Sequence, residues 1–211
     1  LIPSMIKSSF EIASSGRPGP VLIDVPKEVQ EGELTKFDDS LIETPGYNPT
    51  VKGNIKQIKK ARDLIKQAKK PMILAGAGVI ISNACCELKT LANTINAPVM
   101  TSLLGKGAFD ETDDLALGML GMHGRKVSND YINESDLLIA IGVRFSDRTT
   151  GRLDSFVPDT KVIHIDIDPA EIGKNVDVDL PIVGDAKNVL SSLNKVLKDY
   201  KVPSEVNDWT N

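Results

Sequence analysis

The feature that most limits what this chain can fold into is a series of short apolar runs, each stopping at a loop rich in glycine or aspartate. Residues 72–75, 97–101, 137–141, 162–167 and 182–183 are rich in Val, Ile, Leu and Met and too short to be helices. Runs of this kind are strands buried on both faces, the condition of a parallel sheet with helices above and below. The segments between them have helical spacing. Ile55, Ile58, Ala61, Leu64, Ile65 and Ala68 share one side of the first, and Pro71 ends it. Ala84, Cys85, Leu88, Leu91, Ala92 and Ile95 mark a second, with Ser82 or Asn83 as the expected cap. A short helix near 127–133 and a longer one at 186–197 follow, with residues 102–125 read as a glycine-rich loop. Strand and helix alternating in this way give an α/β, doubly wound parallel sheet.

Ahead of that unit, residues 1–16 predict a helix, Gly16-Arg17-Pro18-Gly19-Pro20 a turn, and Val21 to Val25 a buried strand. This is too little for a domain. Residues 1–30 therefore read as the end of a preceding domain, 31–53 as a linker, 54–200 as the main domain and 201–211 as the start of a further linker. The chain begins with Leu, and it is expected to be a piece of a longer one. A net charge of −4 and a pI near 5.3 argue against nucleic-acid binding. No apolar run reaches the roughly 18 residues of a membrane span, so a cytoplasmic protein without membrane contact is expected. The adjacent Cys85 and Cys86 match no metal or disulfide spacing, and both are expected in the core.

In an open parallel sheet, ligands lie across the carboxyl ends of the strands. The loops there are Gly76-Ala77-Gly78, residues 101–107, residues 118–124, residues 142–151, Asp166-Ile167-Asp168-Pro169 and Gly184-Asp185-Ala186. Their glycines would let main-chain N–H groups approach a long dinucleotide. Gly-Ala-Gly makes a poor fingerprint for NAD, since the third glycine would fall on Ile81 and the second strand ends without an acidic residue. Asp166 and Asp168 are placed either to bind ribose hydroxyls or to cap the turn before Pro169. His123, between glycines, reads as a ligand-facing residue, and His164, inside a strand, as a structural one. Arg144, Asp147 and Arg148, directly after a buried strand, point to a ligand role.

Several of these motifs together resemble the catalytic subunit of the acetolactate synthase (acetohydroxyacid synthase) family. The Gly16-Arg17-Pro18-Gly19-Pro20 turn, Asp24-Val25-Pro26-Lys27, Gly121-Met122-His123-Gly124 and, most specifically, Arg144-Phe145-Ser146-Asp147-Arg148-Thr149-Thr150-Gly151 carry the likeness. Ser146 departs from it, since the family commonly has Asp there. The resemblance implies a thiamine-diphosphate enzyme that uses magnesium and joins two 2-oxoacids, pyruvate with pyruvate or 2-oxobutyrate, with decarboxylation, in branched-chain amino acid biosynthesis (valine, isoleucine, leucine). It implies a homodimer or homotetramer with a small regulatory subunit. It also makes residues 54–200 a Rossmann-like central domain holding FAD that takes no net redox part, and residues 1–30 the end of the pyrimidine-binding domain. Carried over by motif, Arg17, Gly76, Ala77, Gly78, Thr101, Ser102 and Leu103 would meet the flavin or its surroundings. So would Leu120, Gly121, Met122, His123 and Gly124, then Gly142, Val143, Arg144, Asp147 and Arg148, and finally Asp166, Ile167, Asp185 and Ala186. Lys27, Met122 and Arg148 would stand at the mouth of the active site.

The family's thiamine-activating glutamate and its magnesium and diphosphate motif match nothing in this chain. No protein ligand for a metal is assigned here, and the chain alone is expected to be inactive. Rival readings are another thiamine-diphosphate enzyme (pyruvate oxidase, glyoxylate carboligase or oxalyl-CoA decarboxylase type), a stand-alone nucleotide-binding module, and an NAD-dependent deacylase. The last needs four zinc-binding cysteines, and this chain has two.

Overall fold

The structure is a computed structural model and describes residues 2–33 and 47–210. It divides into two compact units, Leu1–Pro49 and Thr50–Asn211.

The first unit contains helix α1 (Ile2–Ser14) and the single turn α2 (Lys27–Gln30). Tyr47 fastens to the end of α1, its hydroxyl donating to the Ser15 carbonyl at 3.0 Å. Residues 21–25, expected as a buried strand, form no strand. None of them is buried, and Leu22 is 89% exposed. A strand needs a neighbour for its main-chain N–H and C=O groups, and the described residues of this unit contain no other strand. Residues 34–46, most of the expected linker, lie outside the described residues.

The second unit opens with α3 (Ile55–Gln67). Asn54 caps it by accepting a hydrogen bond from the Lys56 N–H at 2.9 Å, an arrangement that contributes about 1 kcal/mol. Ile58, Ala61 and Ile65 are buried, whereas Ile55 stays exposed at the first turn. Then follow β1 (Pro71–Ala75), α4 (Ala77–Ile81), α5 (Cys85–Ile95), β2 (Val99–Thr101), β3 (Ala116–Met119) and α6 (Lys126–Ile132). The chain continues through β4 (Leu137–Ile141), α7 (Asp147–Thr150), β5 (Lys161–Asp166), β6 (Leu180–Val183), α8 (Ala186–Val196) and α9 (Ser204–Thr210).

The strands form one parallel sheet, six-stranded among the described residues, in the order β3-β2-β1-β4-β5-β6. Two apolar layers sandwich it. Ile73, Ile139 and Ile163 pack on one face with Leu88, Leu91, Val189 and Leu193 from the helices. Met72, Leu74, Leu138, Ala140 and Val162 pack on the other with Ile132, Phe145 and Phe156. The period-2 alternation of a strand divides its apolar residues between these layers, as the α/β reading requires.

Several local expectations are corrected. Cys86 is exposed and Cys85 only half-buried, packed at the rim of the core, because α5 turns Leu88, Leu91, Ala92 and Ile95 inward instead. Neither Ser82 nor Asn83 caps α5. Asn83 takes a left-handed turn with φ +53°, and the helix starts after Ala84 without a side-chain cap. The 102–125 segment is not all loop, since it contains β3, which pairs with β2 through a register shift at Val99/Met100. Ile167 falls just beyond the end of β5. Residues 204–210, where the sequence suggests a linker, form α9, with Val206 buried and the Trp209 indole N–H donating to the Pro71 carbonyl at 3.3 Å. Among the described residues no helix is long and apolar enough to cross a membrane.

Candidate functional site

β1 and β4 are neighbours in the sheet, and the chain leaves them in opposite directions: the β1 crossover leads to β2, the β4 crossover to β5. That reversal opens a crevice at the carboxyl ends of the two strands. The Gly76-Ala77-Gly78 turn and Gly142 meet there. The Gly76 N–H donates to the Ile141 carbonyl at 2.9 Å, and the Gly78 N–H to the Gly142 carbonyl at 3.3 Å. A Cβ on Gly78 would stand 2.7 Å from the Gly142 Cα. The crevice floor is therefore bare main chain, of the kind that admits a flat or phosphorylated ligand closely.

Beside it, Thr101 closes β2. The residue is 3% exposed, and its hydroxyl oxygen is buried without a hydrogen-bond partner among the described residues. An unsatisfied buried hydroxyl costs about 1–3 kcal/mol, which a ligand with a polar group in reach would recover. Ser102 is half-buried beside it, and Leu103 stands 69% exposed.

Leu120 is buried, the Gly121 backbone is left-handed at φ +104°, and Met122 and His123 are exposed. Main-chain and side-chain contacts tie this loop to the one after β4. The Met122 N–H donates to the Arg148 carbonyl at 2.9 Å, and Arg148 Nη1 lies 3.6 Å from Met122 Sδ. The structure thus brings together two of the three residues assigned to the active-site mouth. The third, Lys27, belongs to the first unit, where it begins α2, is exposed and pairs with Glu31 at 3.5 Å. Arg17 is in that unit as well, exposed in the turn after α1.

In the loop after β4, Val143 and Phe145 are buried while Arg144, Asp147 and Arg148 are exposed. Phe145 has φ +50°, a conformation costing about 1–3 kcal/mol for a bulky residue and kept only where the surroundings impose it. Here its ring packs edge-on against Phe156 and His164, with centroids at 5.9 and 5.0 Å. The buried His164 Nε2–H donates to the Val143 carbonyl at 2.8 Å. Burial holds the His164 pKa below its ordinary value, opposed by that hydrogen bond and by the Glu171 charge. The structural reading of His164 stands, and it acts directly beneath the loop of interest. Ser146, the departure from the family pattern, precedes α7 without capping it through its side chain.

At the far strands, the Asp166 carboxylate accepts the Asp168 N–H and the Asp168 carboxylate accepts the Ala170 N–H, both at 2.9 Å. The turn thus uses both aspartates. Ile167 is half-buried. Asp185 caps α8, accepting the Asn188 N–H at 3.0 Å, and Ala186 is buried behind it. Asn129 and Asn175, which the sequence reading passed over, hydrogen-bond to the main chain of the two central loops. Sequence spacing does not reveal them, because one is on a short helix and the other in an irregular stretch. Among the described residues no three His, Cys, Asp or Glu side chains are grouped to hold a metal ion.

The central-domain model of the thiamine pyrophosphate enzyme family matches residues 58–193. The chain is 57% identical over 91% of its length to a probable acetolactate synthase large subunit of Methanocaldococcus jannaschii, of which it covers 33%. It is 56% identical over its whole length to the probable large subunit of Methanococcus aeolicus, covering 36% of it, and 48% identical over 99% to an acetolactate synthase of Mycobacterium leprae, covering 34%. It therefore spans about a third of the length of these curated relatives.

Proposed function

The chain belongs to the acetolactate synthase large-subunit family of thiamine pyrophosphate enzymes, and on that premise we propose that it is the FAD-holding central domain of an enzyme joining two 2-oxoacids with loss of carbon dioxide. Residues 54–200 form that domain in this reading, and residues 1–30 the end of the pyrimidine-binding domain. The observation that carries it is the crevice at the β1/β4 reversal. Its floor is glycine main chain, and the buried Thr101 hydroxyl beside it lacks a hydrogen-bond partner among the described residues.

These residues fit a flavin dinucleotide. Gly76 to Gly78 and Gly142 to Arg144 would lie along the diphosphate, the Arg144 guanidinium supplying positive charge. Thr101 to Leu103 and Leu120 to Gly124 would line the ring system, and Asp166 to Asp185 the far end. Thiamine diphosphate with magnesium, held outside this chain, supplies the covalent chemistry when bound. The chain's own part is to bind and orient. Arg148, with a side chain 71% exposed, would pair two-pronged with the carboxylate of the incoming 2-oxoacid, a geometry lysine does not copy. Met122 beside it offers an apolar wall. Lys27 is assigned to the active-site mouth by the family likeness alone. Homodimeric or homotetrameric assembly, a small regulatory subunit, a place in valine, isoleucine and leucine synthesis and a cytoplasmic setting belong to the same proposal.

The test is a titration of the complete protein and of residues 1–211 with FAD and with NAD, alongside an assay for acetolactate. The complete protein should bind FAD in preference to NAD and form acetolactate, while the 211-residue chain binds FAD more weakly and forms none. Preference for NAD, or turnover by the short chain alone, would refute this reading.

A further inference from the structure

Two asparagines outside the ligand-facing residues bond the main chain just ahead of Met122, at Gly121, and ahead of Arg148, at Arg144 and Phe145. Asn129, on α6, uses both ends of its amide on one residue. Its Oδ1 accepts the Gly121 N–H at 2.9 Å and its Nδ2 donates to the Gly121 carbonyl at 3.0 Å, the double bond pattern of a neighbouring strand. Gly121 immediately precedes Met122 and lies against the arginine loop, where a Cβ on it would stand 2.9 Å from the Thr149 Cα. Asn175, beyond β5, directs its amide nitrogen at two carbonyls of the arginine loop, Phe145 at 2.9 Å and Arg144 at 3.3 Å. These flank the left-handed Phe145. Between the two clamps, the Met122 N–H to Arg148 carbonyl bond joins the loops.

The Arg148 side chain itself is weakly held. Among the described residues its partners are Met122 Sδ at 3.6 Å and the exposed Asp147 carboxylate at 3.9 Å, neither of which confines a long, mobile side chain. What places the guanidinium is therefore the main chain beneath it. We propose that Asn129 and Asn175 are positioning residues that keep the Met122 and Arg148 loops in register, presenting the guanidinium to the acceptor carboxylate already oriented. The role given to Arg148 is the one argued under Proposed function, and this inference rests on it.

The experiment is a double-mutant cycle in the complete enzyme, reading the KM for the acceptor 2-oxoacid. Asn175→Asp removes both donors and sets a carboxylate against two carbonyls. Asn129→Asp keeps the acceptor for the Gly121 N–H but sets a carboxylate oxygen against the Gly121 carbonyl, and Asn129→Ala removes both bonds. Asn129→Ala and Asn175→Asp should each raise KM roughly tenfold or more, read at saturating FAD because both asparagines also bond main chain of the flavin-facing loops. In an Arg148→Ala background the same changes should have no further effect, since they act through that arginine. Effects that multiply with Arg148→Ala would overturn the proposal. If Arg148→Ala alone left KM unaltered, the role of Arg148 would fail instead, and hydrogen exchange would decide the clamps. The Met122 amide should exchange at least roughly tenfold faster in Asn129→Ala while β1 and β4 amides do not, and an unaltered Met122 rate would overturn the clamp as well.

Discussion

Gly142 crosses Gly78 so closely that a Cβ built on Gly142 would stand 2.5 Å from the Gly78 Cα. Gly142 also has φ +59°, so the contact excludes a larger residue and the backbone conformation disfavours one. The crossing is formed by the two turns that bound the β1/β4 crevice, so the packing of the fold and the proposed ligand site depend on the same atoms.

Gly142→Ala should therefore cost about 2 kcal/mol or more and lower FAD affinity together with it, read by chemical unfolding and flavin titration. A variant as stable as the parent would show that the turns can separate without cost.

The two arginines of the same loop should separate by phenotype in the complete enzyme. Arg148→Lys should keep flavin bound but reduce carboligation, by roughly tenfold per 1.4 kcal/mol of lost transition-state binding. Arg144→Ala should lose flavin first. Flavin absorbance measured beside product formation checks both, and the opposite pattern would exchange the two roles.

His164 gives the fold a pH dependence of known sign. Burial holds its pKa below the ordinary value, which is about 6.5 in an unfolded chain. Its contribution is therefore fully present above about pH 6.5. As pH falls toward the depressed folded value, the unfolded chain takes up the proton first and stability declines, by at most about 1.4 kcal/mol per pH unit. His164→Gln, which keeps a donor for the Val143 carbonyl, should flatten this part of the melting-temperature profile. An identical slope in both proteins would mean that other groups produce it.

Asp185 is assigned to the ligand edge by family likeness, yet its carboxylate caps α8. Asp185→Ala should cost about 1 kcal/mol, a fall of roughly 2–4 °C in melting temperature for a protein of this size. Lower FAD affinity at an unaltered melting temperature would make its ligand role the larger one.

The class of fold is legible in the order of the amino acids. Runs such as Leu137–Ile141 are apolar at every position, so they need cover on both faces, and only a sheet between helix layers provides it. The same order points to where ligands would be sought, because glycines and charges after buried strands fall at the carboxyl edge of the sheet. The motif around Arg144 to Gly151 carried the family likeness without any coordinates. Tertiary structure alone decided what depends on a partner distant in sequence. Residues 21–25 have strand composition but no neighbour to pair with among the described residues of their unit. Residues 116–119, interrupted by Gly118 at φ +86°, become a strand because β2 lies alongside. Phe145 is left-handed because Phe156 and His164 surround its ring, and Asn129 and Asn175 matter because folding sets their amides against the two central loops. Composition and periodicity encode how much surface must be buried, but not which main-chain group a given amide meets, since that depends on contacts across the whole sheet.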